Sequence, residues 1–194
     1  MELPGADAAA GLPEYADLVV DVADGRAEVV LVAQSMGAFA ALPACGRLPV
    51  RRLVLTNPMI PLPGETPGEW WENTGWEAAR VAAAREHGYA EAFDVDVYFL
   101  HDVPPTVAAA GPEHQRPEAN IAFEQPCEFA RWPDAPTAVL AARDDRFFPL
   151  AFQRRVARER LGLEAEPLPG GHLNAMSEPE ALTRALLRTA PRRS

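Results

Sequence analysis

The sequence predicts an α/β protein. Short, uninterrupted apolar runs stand at Val29–Ala33, Leu53–Leu55 and Ala138–Ala141. Runs this short, with no polar alternation, suit strands buried on both faces, as in a parallel sheet. Helical patterns lie between and after them, and alternation of strand with helix is the mark of the class. With 194 residues, 48% of them apolar and 24% charged, the chain has a globular composition and the length of one ordinary domain.

Each element has its own local reason. Tyr15–Ala23 places Leu18, Val19 and Val22 on one helical stripe, and Gly25 terminates it. The strand Val29–Ala33 follows, then a helix from Ser35 to Cys45 or Gly46, then the strand Leu53–Leu55. From Pro58 to Pro136 the chain turns rich in Pro, Gly and Trp, with one helical stretch around Glu77–Glu91. That segment carries Trp70, Trp71, Trp76, Tyr98, Phe99 and Phe123, more aromatic residues than a disordered linker holds, so it is expected to fold over one end of the sheet. The strand Ala138–Ala141, a helix Leu150–Leu161, a strand Leu163–Leu168 and a last helix Pro179–Thr189 complete the order. The organisation is therefore core residues 1–57, an insertion 58–136 and core residues 137–194, with no internal repeat.

Charge and composition exclude several classes of partner. The formal net charge is -10, and the basic residues, all Arg, are scattered or paired with acids. Tracking a phosphate backbone needs clustered positive charge, so no nucleic-acid partner is expected, and an anionic membrane surface is equally unattractive. No apolar run approaches the roughly 20 residues that span a bilayer. The start, Met1-Glu2-Leu3-Pro4, lacks the basic and apolar stretches of a signal peptide, and Cys45 and Cys127 are too few for a disulfide framework or a zinc site. A cytoplasmic protein with free thiols is expected. There is no dinucleotide fingerprint, P-loop or metal-ligand cluster, so no cofactor is expected either.

The residues that can carry chemistry are few. Serine occurs only at 35, 177 and 194. Ser35 lies in Ala33-Gln34-Ser35-Met36-Gly37, directly after the strongest strand and opening a helix. A nucleophile elbow needs that context, with small residues two before and two after the serine, although Gly is commoner than Ala at the first. The helix start aims N–H groups at charge developing beside the hydroxyl. The same pentapeptide also describes a serine N-cap on an ordinary helix.

A serine needs a base, and the histidines are His87, His101, His114 and His172. His172 follows Pro169-Gly170-Gly171 in a loop after a strand, where open α/β sheets place function. His101 adjoins Asp102, a pair capable of acid–base work, but lies in the insertion and reads better as structural. A carboxylate must orient the base, and Asp144 and Asp145 follow the third strand. The chain order Ser, Asp, His is that of the elbow-type hydrolases.

Together these segments resemble the α/β-hydrolase superfamily over nearly the whole chain. Val30-Leu31-Val32-Ala33-Gln34-Ser35-Met36-Gly37 resembles its strand and elbow, and Ala142-Arg143-Asp144-Asp145-Arg146-Phe147-Phe148-Pro149 its acid loop. There the acid precedes the Pro by four positions, which selects Asp145. Gly171-His172-Leu173-Asn174-Ala175-Met176-Ser177-Glu178-Pro179 is especially similar to the histidine loop of small esterases related to plant methylesterases and hydroxynitrile lyases.

The resemblance implies a mostly parallel α/β-hydrolase sheet with an inserted cap, and a serine hydrolase of small carboxylic esters or related carbonyl compounds. Ser35, Asp145 and His172 would be catalytic and Met36 N–H an oxyanion donor. Trp70, Trp71 and Tyr98 would line an apolar pocket, or else pack the cap against the sheet. A C–C hydrolase or a hydroxynitrile-lyase-like enzyme is the alternative chemistry, disfavoured by the absence of Lys; a binding protein that lost its chemistry is the alternative class. Family members normally begin with further strands and a His-Gly-type loop that supplies a second oxyanion donor. This chain opens later, so the sheet is expected to be shortened at its N-terminal side, with the elbow strand unpaired on one edge. A natural start upstream of Met1 is the favoured expectation; pairing with a second copy is another way to complete the sheet.

Overall fold

A parallel sheet of four strands forms the centre: β1 (Val29–Gln34), β2 (Val50–Thr56), β3 (Thr137–Ala142) and β4 (Glu166–Leu168), side by side in chain order. The computed structural model describes residues 1–111, 117 and 119–189. The apolar runs fall where the sequence places them, in the two inner strands and at the edge. In β2 and β3, Leu53, Val54, Leu55 and Leu140 are wholly buried, as continuous runs require. Against one face lie α1 (Leu12–Ala23), α2 (Gly37–Cys45) and α8 (Leu150–Leu161), whose Phe39, Leu42, Phe152 and Val156 share a cluster with Leu53 and Leu55. The other face is covered by α10 (Pro179–Thr189), where Ala185 meets Val54, Leu140 and Leu168.

That second face is covered only in part. Among the described residues β1 pairs with β2 alone, and its Val30 and Val32 are each 44% exposed. The shortened, one-sided sheet expected from the sequence is what the chain forms. The structure also corrects the stripe on α1. The buried residues are Leu12, Tyr15, Ala16 and Val19, whereas Val22 is 56% exposed and Leu18 is half-buried. The helix begins three residues before Tyr15, because Glu14 accepts the Gly11 N–H and Gln125 accepts the Leu12 N–H, satisfying its first free donors.

Among the described residues the insertion forms the helices α3 (Pro67–Asn73), α4 (Trp76–His87), α5 (Val95–Tyr98), α6 (Pro105–Ala110) and α7 (Ile121–Glu124). The sequence shows one of them, α4, and overruns it. The helix stops at His87 because Gly88 takes a left-handed φ of 75° and returns its N–H to Ala84 O. A reciprocal cap opens α3, with Glu69 N–H on Thr66 Oγ1 and Thr66 N–H on the Glu69 carboxylate. Arg80, 5% exposed, knots the region: it donates to Glu91 O and the Tyr98 hydroxyl, both at 2.6 Å, and stacks on Trp76 and Tyr98. The last strand, expected from Leu163, starts only at Glu166. A short α9 (Asn174–Ser177) precedes α10. No helix among the described residues is long and apolar enough to cross a membrane.

Candidate active site

Ser35 follows β1 with φ of 51°, a left-handed backbone that costs a non-glycine residue about 1–3 kcal/mol. The turn is held from the neighbouring strand: Ser35 N–H donates to Thr56 O at 3.2 Å, and Ser35 O accepts the Met59 N–H at 3.1 Å. The helix α2 therefore starts at Gly37, two residues later than the expected Ser35, and Ser35 is the elbow itself rather than its cap. Ala33 is buried, as a tight turn demands, but a Cβ at Gly37 would meet no atom within 4 Å. The small residue at 37 is thus not required by contact.

The structure brings Ser35, His172 and Asp145 into one line. His172 Nε2 lies 3.1 Å from Ser35 Oγ, and His172 Nδ1 lies 2.8 Å from Asp145 Oδ2. The three residues come from loops after β1, β3 and β4. Asp145 is buried, and its charge is met locally. Oδ1 accepts the N–H groups of Phe147 and Phe148 at 2.8 and 2.7 Å, and Oδ2 accepts Gln153 Nε2 at 3.3 Å beside His172. Asp144 is exposed and instead stitches the acid loop to Gly170, at 3.1 Å through its backbone and 3.3 Å through its carboxylate. Of the two candidate acids, Asp145 is the one on the histidine.

His172 is held on several sides. Its carbonyl accepts Gln34 Nε2 at 3.1 Å and Asn57 Nδ2 at 2.9 Å. Asn57 is fully buried, has φ of 44°, and takes the Ala142 N–H on Oδ1 at 2.7 Å, so one side chain joins β3 to the histidine loop. The imidazole is ringed by Phe99, Phe147 and Phe148 at centroid distances of 5.0, 5.2 and 4.9 Å. Gly170 has φ of 93°, and a Cβ there would press on Ser177 Oγ at 2.9 Å, so glycine is needed at that turn. Sequence reasoning missed Asn57 and Gln34. Asn57 stands at the C-terminal end of β2, the same position class that singled out the other three residues, and this was the available signal.

Other candidates fall elsewhere. No carbonyl or side chain among the described residues accepts the Met36 N–H, which leaves it free beside Ser35. Trp70 and Tyr98, expected to line a pocket or pack the insertion, are fully buried. The Trp70 indole donates to Ile60 O and the Tyr98 hydroxyl to Ala90 O, and of the three Trp71 keeps exposed surface. His101 Nε2 and Asp102 Oδ1 are 3.9 Å apart, too far for a hydrogen bond, and burial together with the nearby Arg146 charge pushes the His101 pKa down. His87 is exposed at the end of α4, and His114 lies outside the described residues. The Cys45 and Cys127 thiols are buried and free, their pKa values raised by burial to about 11 and about 12, so neither is a reactive thiolate. No group of His, Cys, Asp and Glu among the described residues is placed to hold a metal.

Known proteins agree with this architecture. A polyneuridine aldehyde esterase superimposes with a TM-score of 0.69 at 15% identity, over 92% of this chain and 79% of its own. An extracellular alpha/beta-hydrolase from a Paenibacillus species gives 0.72 at 16% identity, over 96% and 82%. A pyrethroid hydrolase from Sphingobium faniae gives 0.65 at 19%, over 96% and 83%. Such identities establish a shared fold. By sequence, no curated protein matches the chain. The profile described as "Alpha/beta hydrolase family", in contrast, matches residues 2–185, all three aligned side chains included. This chain belongs to the alpha/beta hydrolase family.

Proposed function

We propose that the protein is a serine hydrolase that cleaves a small carboxylic ester through an acyl-enzyme. The observation that carries the reading is the hydrogen-bonded line from Ser35 Oγ through His172 to the buried Asp145. His172 Nε2 removes the hydroxyl proton as Ser35 attacks the ester carbonyl, and the resulting imidazolium is stabilised by Asp145. The same histidine then gives the proton to the departing alkoxide, leaving an ester of Ser35. Water, deprotonated in turn by His172, adds to that ester and releases the acid. The Met36 N–H, which has no acceptor among the described residues and stands at the start of α2, donates to the oxyanion in this reading.

Residues 58–136 act as the cap over this site. Phe99 from the cap and Phe147 from the core flank the imidazole and supply an apolar wall, with the half-buried Trp71 ring 5.8 Å from Phe147. The esterase names among the structural relatives point to the same bond type. The test is intact-mass detection of a fluorophosphonate adduct, followed by turnover of a chromogenic short-chain ester. Ser35→Ala is expected to fold normally, to lose the adduct, and to lower turnover by about 10⁴-fold or more. An adduct of undiminished yield in that variant would sink the mechanism.

A further inference from the structure

The turn after α5 belongs to the insertion, yet it touches the histidine loop twice. Phe99 lies against the His172 ring, tilted by 37°. Asp102 Oδ2 accepts the N–H of Gly171, the residue before His172, at 2.5 Å. The approach is tight: a Cβ on Gly171 would stand 2.7 Å from Asp102 Oδ1 and 2.8 Å from His101 Nε2. Those two atoms are buried and have no hydrogen-bond partner. The bond to Gly171 is thus the one hydrogen bond of the Asp102 side chain among the described residues.

The backbone that carries the imidazole is consequently gripped from two directions. Gln34 and Asn57 hold the His172 carbonyl from the sheet, and Asp102 holds the preceding N–H from the insertion. A carboxylate acceptor makes that second grip stronger than a neutral one. Resting on the reading of His172 as the base for Ser35, we infer that Asp102 is a positioning residue, which ties alignment of the imidazole to seating of the cap. With the cap seated, Gly171 N–H is fixed and Nε2 points at Ser35 Oγ. With the cap lifted, the loop keeps its hold from Gln34 and Asn57 and the acid-loop bonds of Asp144 to Gly170, but loses the one on the Gly171 N–H.

The experiment uses the full chain and two readouts. One is the rate constant and final stoichiometry of fluorophosphonate labelling. The other is the low-field proton resonance of the His172 imidazole N–H bonded to Asp145, which reports alignment without turnover. Asp102→Ala is expected to slow labelling by up to about a hundredfold, the loss typical of an ångström-scale misplacement, while reaching the wild-type stoichiometry and broadening the resonance. Asp102→Asn keeps an oxygen for the Gly171 N–H and is expected to label at close to the wild-type rate. Gly171→Ala, which presses on the same contact from the other side, is expected to behave like Asp102→Ala.

The inference is overturned if Asp102→Ala matches wild type in both readouts. It is equally overturned if that variant loses only the fraction of labelled protein at an unchanged rate constant, which is destabilisation alone. A wild-type chain that does not label, but whose His172 resonance broadens in Asp102→Ala, would retain the positioning role and remove the hydrolase reading.

Discussion

Where α3 and the start of α4 rest on α8 and the acid loop, the contact between insertion and sheet core is aromatic. Where residues 99–102 rest on the histidine loop, it is smaller and mixed, the Phe99 ring against His172 and the Gly171 N–H on Asp102. At the first seam Trp70 sits 5.4 Å from Phe148 and 5.7 Å from Phe152, with Trp76 donating to Phe147 O at 2.7 Å. Aromatic pairs of this kind contribute about 0.5–1.5 kcal/mol each beyond the area they bury. Glu65 and Arg160, both buried, add an ion pair from the start of the insertion to α8. At the second seam a single hydrogen bond is made, and His101 Nε2 and Asp102 Oδ1 are left without one. Buried polar atoms without partners gain by meeting water, so separating the second seam costs less than separating the first. The contacts of α3 and the start of α4 are thus the more extensive of the two, and the contact of residues 99–102 with the histidine loop the smaller.

Three changes probe that contrast. The largest effect is expected at the anchor. Trp70→Ala removes a wholly buried indole and is expected to cost about 3–5 kcal/mol in urea unfolding, while the folded fraction labels at close to the wild-type rate. A neutral Trp70→Ala would mean that the aromatic seam is not the anchor.

Asn57→Ala comes next and acts on the sheet-side hold. It leaves Ala142 N–H without its acceptor and takes one donor from His172 O, for an expected loss of about 1–3 kcal/mol and slower labelling of Ser35. Lost stability with an unchanged labelling rate constant would show that Gln34 suffices to place the loop.

The smallest effect concerns acid sensitivity. Burial alone would raise the Glu65 pKa, but hydrogen bonds from Arg160, Asn73 and the Leu62 N–H, with the Arg160 charge, hold it below the ordinary value. A carboxyl whose folded pKa is depressed contributes stability in full above its unfolded pKa. That contribution is lost as pH falls through the folded value. The melting temperature of the wild type is therefore expected to drop more steeply in that window than that of Glu65→Gln. Identical slopes would take the pair out of the acid response.

The sheet was legible where burial is two-sided. Leu53–Leu55 and Ala138–Ala141 are continuous apolar runs because both faces are covered, and the structure extends them by only a few residues. The stripe on α1 was misread because apolar character alone does not mean burial: Val22, like Val30 and Val32, is apolar yet exposed. Most of the insertion was illegible because α5 and α7 are four residues each, barely one turn, too short for a 3.6-residue period to register. The aromatic residues there announced a folded segment, but composition cannot tell a pocket wall from a buried wedge. Trp70 and Tyr98 are both fully buried.

The sequence by itself determined the order of the strands and of the longer helices beside them and singled out Ser35 and His172, and its family resemblance selected Asp145 over Asp144. An elbow, an acid loop and a glycine-bounded histidine are local patterns, written in a few adjacent residues. What grips the histidine was decided by tertiary structure alone. Gln34 and Asn57 are 138 and 115 positions from His172 in the chain, and Asp102 is 69 from Gly171. Contacts across such distances have no period and no motif, because they exist only once the sheet and the insertion have packed together.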